Sequence, residues 1–253
     1  MIVLETVAVA FSMFSAVPMP QFAWNRRNMR FVLCAFPLVG AMIALLTRLW
    51  LLLCAAFGLP QLLRGAGLCL LPVLVTGGIH LDGYADVCDA LASHGSVDKK
   101  QAILKDPHVG AFAIIRLCCY FIASLALWTA LPTQNLPALL GLFCLSRSLS
   151  GLAVQCFPLR PGSGLARSFA EAGGGRDVRA GLIVLSLLSA ALLLLGGQGL
   201  SVLAAALTFL YYRRMCTHEF GGLSGDLAGW FLQTAELWML AAMVLTQYGR
   251  ALP

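Results

Sequence analysis

The sequence predicts an all-α protein that crosses a membrane several times, and three observations carry that prediction. Of its 253 residues, 60% are hydrophobic and only 11% are charged, whereas a soluble domain carries roughly a quarter charged residues. The mean hydropathy is +0.85. The apolar residues are gathered into runs of membrane-spanning length between short connections rich in glycine, proline and arginine. Backbone at membrane depth must bond to itself, so each run is expected to be a helix.

Met1–Val17 is apolar but short for a span, and Pro18 and Pro20 end it. Glu5 and the lack of a preceding basic region argue against a cleavable signal, so the segment reads as a re-entrant or interfacial helix. About seven spans of roughly 20 residues are expected after it, at Phe31–Phe57, Leu62–Ile79, Phe112–Leu131, Ala138–Phe157, Gly181–Leu195, Leu200–Tyr212 and Leu227–Tyr248. The fifth and sixth are short, and Gly196-Gly197-Gln198-Gly199 joins them as a tight helical hairpin. With no internal repeat or separate soluble segment, residues 1–253 read as a single integral-membrane domain. The nine cysteines sit mostly in apolar runs without a C-x-x-C pair, which suits packing better than disulfides or zinc.

The net charge of +6 does not indicate nucleic acid once its placement is considered. Arg26, Arg27 and Arg30 precede the first span, and Lys99, Lys100 and Lys105 lie in the His80–Ala111 loop. Arg160, Arg167, Arg176 and Arg179 lie in Pro158–Ala180, and Arg213 with Arg214 begins the last loop. The alternate connections are nearly uncharged: Arg64 stands alone in one, and Pro132–Pro137 and the glycine turn have none. The basic loops therefore share one side, which the positive-inside rule makes cytoplasmic in a bacterial inner membrane. Asp82, Asp86, Asp89, Asp98, Asp106, Glu171, Asp177, Glu219 and Asp226 fall on that side too. Topology does not require acids there, so their concentration points to chemistry.

Gly77-Gly78-Ile79-His80-Leu81-Asp82-Gly83-Tyr84-Ala85-Asp86-Val87-Cys88-Asp89 carries the strongest signal. Spacings of four and three place the three aspartates on one helix face, with neighbouring Cβ atoms about 5–6 Å apart. At an effective dielectric near 20, each ionised pair repels by roughly 3 kcal/mol before screening. A chain so poor in charge accepts that most readily where a divalent cation compensates, and Mg²⁺ takes a few carboxylates while leaving positions for phosphates. Without a ligand the same pattern would be an exposed acidic face. His80, two residues before Asp82, suits an acid–base, supporting or structural role.

Two further segments are expected on the same side. In Lys105-Asp106-Pro107-His108-Val109-Gly110, Asp106 can extend the metal site and Lys105 can meet a phosphate; alone, the segment reads as a turn. In Gly221-Gly222-Leu223-Ser224-Gly225-Asp226, glycines permit close backbone approach to an anion, Ser224 adds a donor, and Asp226 can bind metal or a hydroxyl. A plain helix-start turn explains that pattern equally well. Arg147 and Glu236 lie within the fourth and seventh spans, where each faces a cavity or pairs with the other. Carboxylates, a hard metal, a phosphate-approach loop and cations together describe a membrane-embedded, metal-dependent transferase acting on a phosphate ester or anhydride.

These motifs resemble the adenosylcobinamide-GDP ribazoletransferase (cobalamin synthase) family over nearly the whole chain. The likeness runs through Phe14-Ser15-Ala16-Val17-Pro18-Met19-Pro20, Phe36-Pro37-Leu38-Val39-Gly40, Gly78-Ile79-His80-Leu81-Asp82-Gly83 with Asp86 and Asp89, and Lys105-Asp106 with Val109-Gly110. Arg147 with Ser150-Gly151, and Gly221 through Asp226, complete it. The resemblance implies that α-ribazole or its 5′-phosphate attacks the cobinamide-side phosphorus of adenosylcobinamide-GDP, releasing GMP and giving adenosylcobalamin or its 5′-phosphate. It implies Mg²⁺ on Asp82, Asp86 and Asp89, extended by Asp106, with Asp82 favoured as the base that takes the hydroxyl proton. Asp82, Asp86 and His80 are the implied catalytic residues, and Lys105, Arg147, Gly222, Ser224, Gly225 and Asp226 the implied substrate contacts. Members of the family often have arginine where this sequence has Ala16. The substrates and membrane lipid are the expected partners; homo-oligomers and association with other late cobalamin enzymes stay open.

A CDP-alcohol phosphotransferase also uses a multi-aspartate membrane helix, but Asp82-Gly83-Tyr84-Ala85 is followed here by Asp86 instead of that family's arginine. A transporter would distribute its charges along a midplane path; these acids gather at one face.

Overall fold

A computed structural model describes residues 2–131 and 134–250, and twelve helices lie within them. They are α1 (Ile2–Phe14), α2 (Arg26–Met29), α3 (Val32–Ala56), α4 (Gln61–Thr76), α5 (Ile79–Ala92), α6 (Val97–Ile103), α7 (Ala111–Ala130), α8 (Leu136–Cys156), α9 (Leu165–Ala172), α10 (Arg176–Leu195), α11 (Gly199–Phe220) and α12 (Gly225–Arg250). The protein is thus an all-α, polytopic membrane protein. Within the expected segments, Met1, Pro132 and Thr133 lie outside the described residues.

All seven expected spans are helical, with different standing. Among the described residues, α3, α7, α8, α10 and α12 are each long and apolar enough to cross a membrane. The expected second span is not one straight rod: α4 has 16 residues and meets α5 at 97°, and only the bent pair together passes as a sixth. The helix α11 has 22 residues, but Arg213, Arg214, His218 and Glu219 interrupt its apolar character. The break before α5 follows from glycine, since Gly77 and Gly78 both adopt left-handed backbone (φ 65° and 80°), which side chains with a Cβ resist. The first segment forms the 13-residue α1, which packs on α3.

The helix α8 lies at the centre, against α3 on one side and α10 on the other, while α12 packs on α5, α8 and α11. The two central helices meet through charge. Glu236 accepts from Arg147 Nη1 at 2.5 Å and from Ser146 Oγ at 2.7 Å, and Arg147 also donates to the Phe143 carbonyl at 2.9 Å. Both ionic side chains are buried. The two intramembrane charges therefore pair with each other, as one of the two sequence readings had it.

The bundle's two ends differ. At one, Arg30 pairs with Asp177, Lys100 pairs with Glu219, and Asp89 accepts from the first turn of α7. At the other, cations bond backbone carbonyls left over at helix termini: Arg64 donates to Thr129 and Leu131, Arg48 to Gln134, and Arg250 to Gly197.

Removing one partner of a buried ion pair costs about 3–5 kcal/mol, whereas an apolar replacement of both is often nearly neutral. Glu236→Ala is therefore expected to lower the unfolding midpoint markedly in detergent, and Arg147→Met/Glu236→Leu to restore most of the loss. Denaturant titration of the three proteins checks this.

Candidate functional site on the acidic helix

The first turns of α5 and α12 cross at glycines. A Cβ on Gly83 would stand 2.7 Å from the Asp226 carbonyl oxygen and 2.8 Å from its Cα. One on Gly229 would stand 2.9 Å from the His80 carbonyl oxygen. This close approach brings the α5 carboxylates to Asp226 from the far end of the chain. Asp86 lies within electrostatic reach of Asp82, Asp226 and Asp89, and Asp226 within reach of Asp82 and Arg160. Asp82 is exposed; Asp86 and Asp226 are half-buried. The result is a cluster of like charge assembled from two helices, with Arg160 as a cationic neighbour of Asp226.

Arg160 carries a signal the sequence reading did not use beyond topology. It is only 5% exposed, yet its Nε and Nη1 are buried without a hydrogen-bond partner, as is Ser163 Oγ nearby in sequence. A parallel pairing holds the segment in place: Leu223 N–H donates to the Pro158 carbonyl at 2.8 Å, and Arg160 N–H to the Leu223 carbonyl at 3.1 Å. Gly222 makes this possible, because a Cβ there would lie 2.6 Å from the Arg160 nitrogen. An alternation of loop arginines hides such a residue among its neighbours; only its burial distinguishes it.

The other expected site residues divide. Ser224 caps α12, its Oγ 3.4 Å from both the Leu227 nitrogen and an Asp226 carboxylate oxygen. Gly225 is exposed with open space ahead of it. The Gly222 N–H donates to the Cys216 carbonyl at 2.8 Å, so this glycine serves the loop that carries Arg160 and has no free N–H for an anion. Asp89 is turned toward the start of α7, where it accepts from the Ala113 N–H at 3.3 Å and lies where a Gly110 side chain would be. Lys105 and Asp106 are exposed, and Asp106 is 2.6 Å from His108 Nδ1. Hydrogen bonds from the His108 backbone and ring hold the Asp106 carboxyl below the usual carboxylate range. Arg147 is committed to Glu236 inside the bundle. Ala16 lies at the α4–α5 bend, its N–H donating to the Val75 carbonyl at 2.8 Å and its Cβ against Gly77.

A cavity of about 220 Å³ opens beside the crossing, with His80, Asp82, Gly83, Gly225 and Asp226 among its lining and α1, α3, α8 and α9 as its other walls. Among the described residues, no three His, Cys, Asp or Glu side chains form a ready-made metal cage. That arrangement is compatible with Mg²⁺, which takes one or two carboxylates and completes its shell with water and substrate phosphate oxygens. Asp82 and Asp226 are hard oxygen donors that both line the cavity, with Asp86 an acidic neighbour, so a two-carboxylate donor set fits the ion.

A family model described as cobalamin-5-phosphate synthase matches residues 6–244. The chain belongs to that family. Curated relatives named adenosylcobinamide-GDP ribazoletransferase agree. The protein of Lachnoclostridium phytofermentans is 37% identical over 96% of this chain and 95% of its own length. That of Pseudomonas fluorescens is 33% identical over 94% and 98%, and that of Geobacillus kaustophilus 31% over 94% and 96%. No solved structure matches the chain. In this member of the cobalamin-5-phosphate synthase family the acidic helix, the crossing at Gly83 and the Arg160 loop all lie inside the matched span.

Because Gly83 sets the distance between the two acidic elements, Gly83→Val is expected to push α5 from α12 while leaving the distant Arg147–Glu236 pair intact. A displacement near 1 Å at reacting groups can cost about 100-fold in rate. Turnover of Gly83→Val should fall by that order with a far smaller change in unfolding midpoint, read from paired activity and denaturation measurements.

Proposed function

We propose that the chain joins α-ribazole, or its 5′-phosphate, to the cobinamide phosphate of adenosylcobinamide-GDP, releasing GMP. One observation carries the reading beyond family membership: Asp82 and Asp226 line one cavity, with Asp86 and the buried Arg160 guanidinium as their charged neighbours. Phosphoryl transfer between large substrates needs little else from a protein than positioning and charge compensation.

In the reaction, a ribose hydroxyl oxygen of the acceptor bonds to the phosphorus that bears cobinamide. The bond from that phosphorus to the GMP oxygen breaks, and the hydroxyl proton passes to a carboxylate. Asp82 suits that role because it is exposed at the cavity and lies in the first turn of α5. Arg160 offers its free N–H groups to the diphosphate, and a guanidinium bonds two oxygens in one plane where a lysine offers a point charge. Asp82 and Asp226 would hold Mg²⁺, with Asp86 adding negative charge beside them; when bound, the ion neutralises charge on the diphosphate and the leaving GMP. The basic loops direct this end toward the cytoplasm of a bacterial inner membrane, where a water-soluble GDP ester meets the site.

The test is purified protein in nanodiscs with adenosylcobinamide-GDP and α-ribazole, following GMP and the cobamide product together. Both should form in equal amounts, depend on Mg²⁺, and drop at least about 100-fold in Asp82→Asn and Asp86→Asn. Asp82→Asn with full turnover and normal Mg²⁺ dependence would remove the base assignment. Folded protein that makes neither product, but releases CMP from a CDP-activated lipid, would replace the reading altogether. Arg160→Met should raise the KM for adenosylcobinamide-GDP more than that for α-ribazole, since only the former carries the diphosphate; initial rates with each substrate varied in turn decide it.

A further inference from the structure

We propose that the cavity beside the α5–α12 crossing seats the bicyclic base of the acceptor nucleoside, with His80 Nε2 as its hydrogen-bond partner; this rests on the transferase reading above. Size narrows the choice first. About 220 Å³ is below the ~300–1,000 Å³ of pockets that enclose drug-sized ligands. A corrin macrocycle with its cobalt and adenosyl group cannot enter, so the donor's bulk stays outside and the cavity takes a fragment.

The walls suit a flat aromatic fragment. Phe14, Phe36, Phe169 and His80 all line the cavity. The rings of Phe14 and Phe36 have centroids 4.1 Å apart, Phe14 and Phe169 5.5 Å, and Phe36 and His80 5.7 Å. Aromatic faces and edges at such spacing receive a further ring with favourable geometry. The remaining lining away from the carboxylates is largely aliphatic, including Leu33, Val154 and Leu232.

His80 supplies the independent observation. It is only 6% exposed, and its Nε2 is buried with no hydrogen-bond partner. A buried imidazole nitrogen left unpaired is costly, and native structures rarely leave one without a reason. A lipid tail in the cavity would not pair it. The benzimidazole of α-ribazole would: one ring nitrogen bears the ribose, and the other is a bare acceptor for an Nε2–H. With the base inside, the ribose lies toward Asp82 and Asp226, where the attacking hydroxyl is needed. His80 thus binds the acceptor instead of moving protons, and the cavity selects among bases by shape and by that one ring nitrogen.

The experiment is calorimetric titration of the full chain in nanodiscs, with empty nanodiscs as blank, using two probes without ribose or phosphate: 5,6-dimethylbenzimidazole and 5,6-dimethylindane, which has no ring nitrogen. Wild type should bind the benzimidazole more tightly. Ala166→Phe, which fills the cavity from α9, should abolish binding of both. His80→Phe should weaken the benzimidazole about tenfold and leave the indane unchanged. Unaltered benzimidazole binding in Ala166→Phe would overturn the site. Equal effects of His80→Phe on both probes would overturn the hydrogen bond. Melting curves confirm that each variant is folded, and Val154→Trp repeats the filling from α8 should Ala166→Phe not fold. The two readings fail separately: base binding without GMP release defeats the transferase reading alone, and GMP release by Ala166→Phe with an unchanged KM for α-ribazole defeats this proposal alone.

Discussion

The left-handed step at Gly77 and Gly78 is the constraint on which the site depends. A straight continuation of α4 would drive His80, Asp82 and Asp86 along one rod, with the two carboxylates and the imidazole facing lipid or neighbouring helices at full desolvation cost. The 97° turn lays α5 across the end of the bundle instead. There Gly83 meets the backbone of Asp226, and Asp82 remains exposed. Two residues without a Cβ thus convert an apolar hairpin into a platform for charge. The second pair of glycines, at the crossing, fixes how near the platform comes to α12. Both pairs determine where the carboxylates and the cavity lining stand.

Much of this was legible in the sequence, and the parts that were not share a physical reason. The apolar runs identified the helices because lipid leaves no other backbone solution, and the spacing of Asp82, Asp86 and Asp89 identified a helix with acids on one face. The bend was harder to foresee, since the Leu62–Ile79 run reads as continuous and glycine is tolerated inside membrane helices. The count of spans differed for two reasons: the bend breaks the second span, and the charges of α11 take it below the apolar character of a span. The sequence pointed to Gly222 as a residue of the anion site. In the structure its N–H is bonded to a carbonyl, and its lack of a side chain admits Arg160. Asp89 repeats the acidic pattern but caps α7. One-dimensional periodicity marks which residues share a face. It does not show which of them a neighbouring helix has already engaged.

Two buried arginines show the difference most plainly. Arg147 and Arg160 are 1% and 5% exposed, and by sequence Arg147 was the more conspicuous because it interrupts an apolar span. Its charge is answered by Glu236 and Ser146 within the bundle, so it joins α8 to α12 and sets the frame. Arg160 comes from a loop with several other cations and has no comparable acid bonded to it; Asp226 is an electrostatic neighbour, not a hydrogen-bond partner. A guanidinium held in that condition is favoured by a further negative group beside it. Burial without pairing, not position in an apolar run, marks Arg160 as the candidate ligand contact, whereas Arg147 holds helices together.

The same criterion orders the chemistry around the cavity. At one end carboxylates outnumber cations, a situation favourable to a divalent ion and a diphosphate arriving together, because each offsets the other's charge. Farther in, the walls are aromatic and aliphatic, and the polar group left without a partner is a single imidazole nitrogen. A ligand that is ionic at one end and flat and apolar at the other satisfies both regions at once, and no purely ionic or purely lipidic molecule does. On the proposed reading the reacting oxygen lies at the boundary between them, beside Asp82 in the cavity lining. The position of the bond to be made follows from how the site is divided between water-like and oil-like surroundings, and the bend at Gly77 and Gly78 is what places that boundary at the end of the bundle.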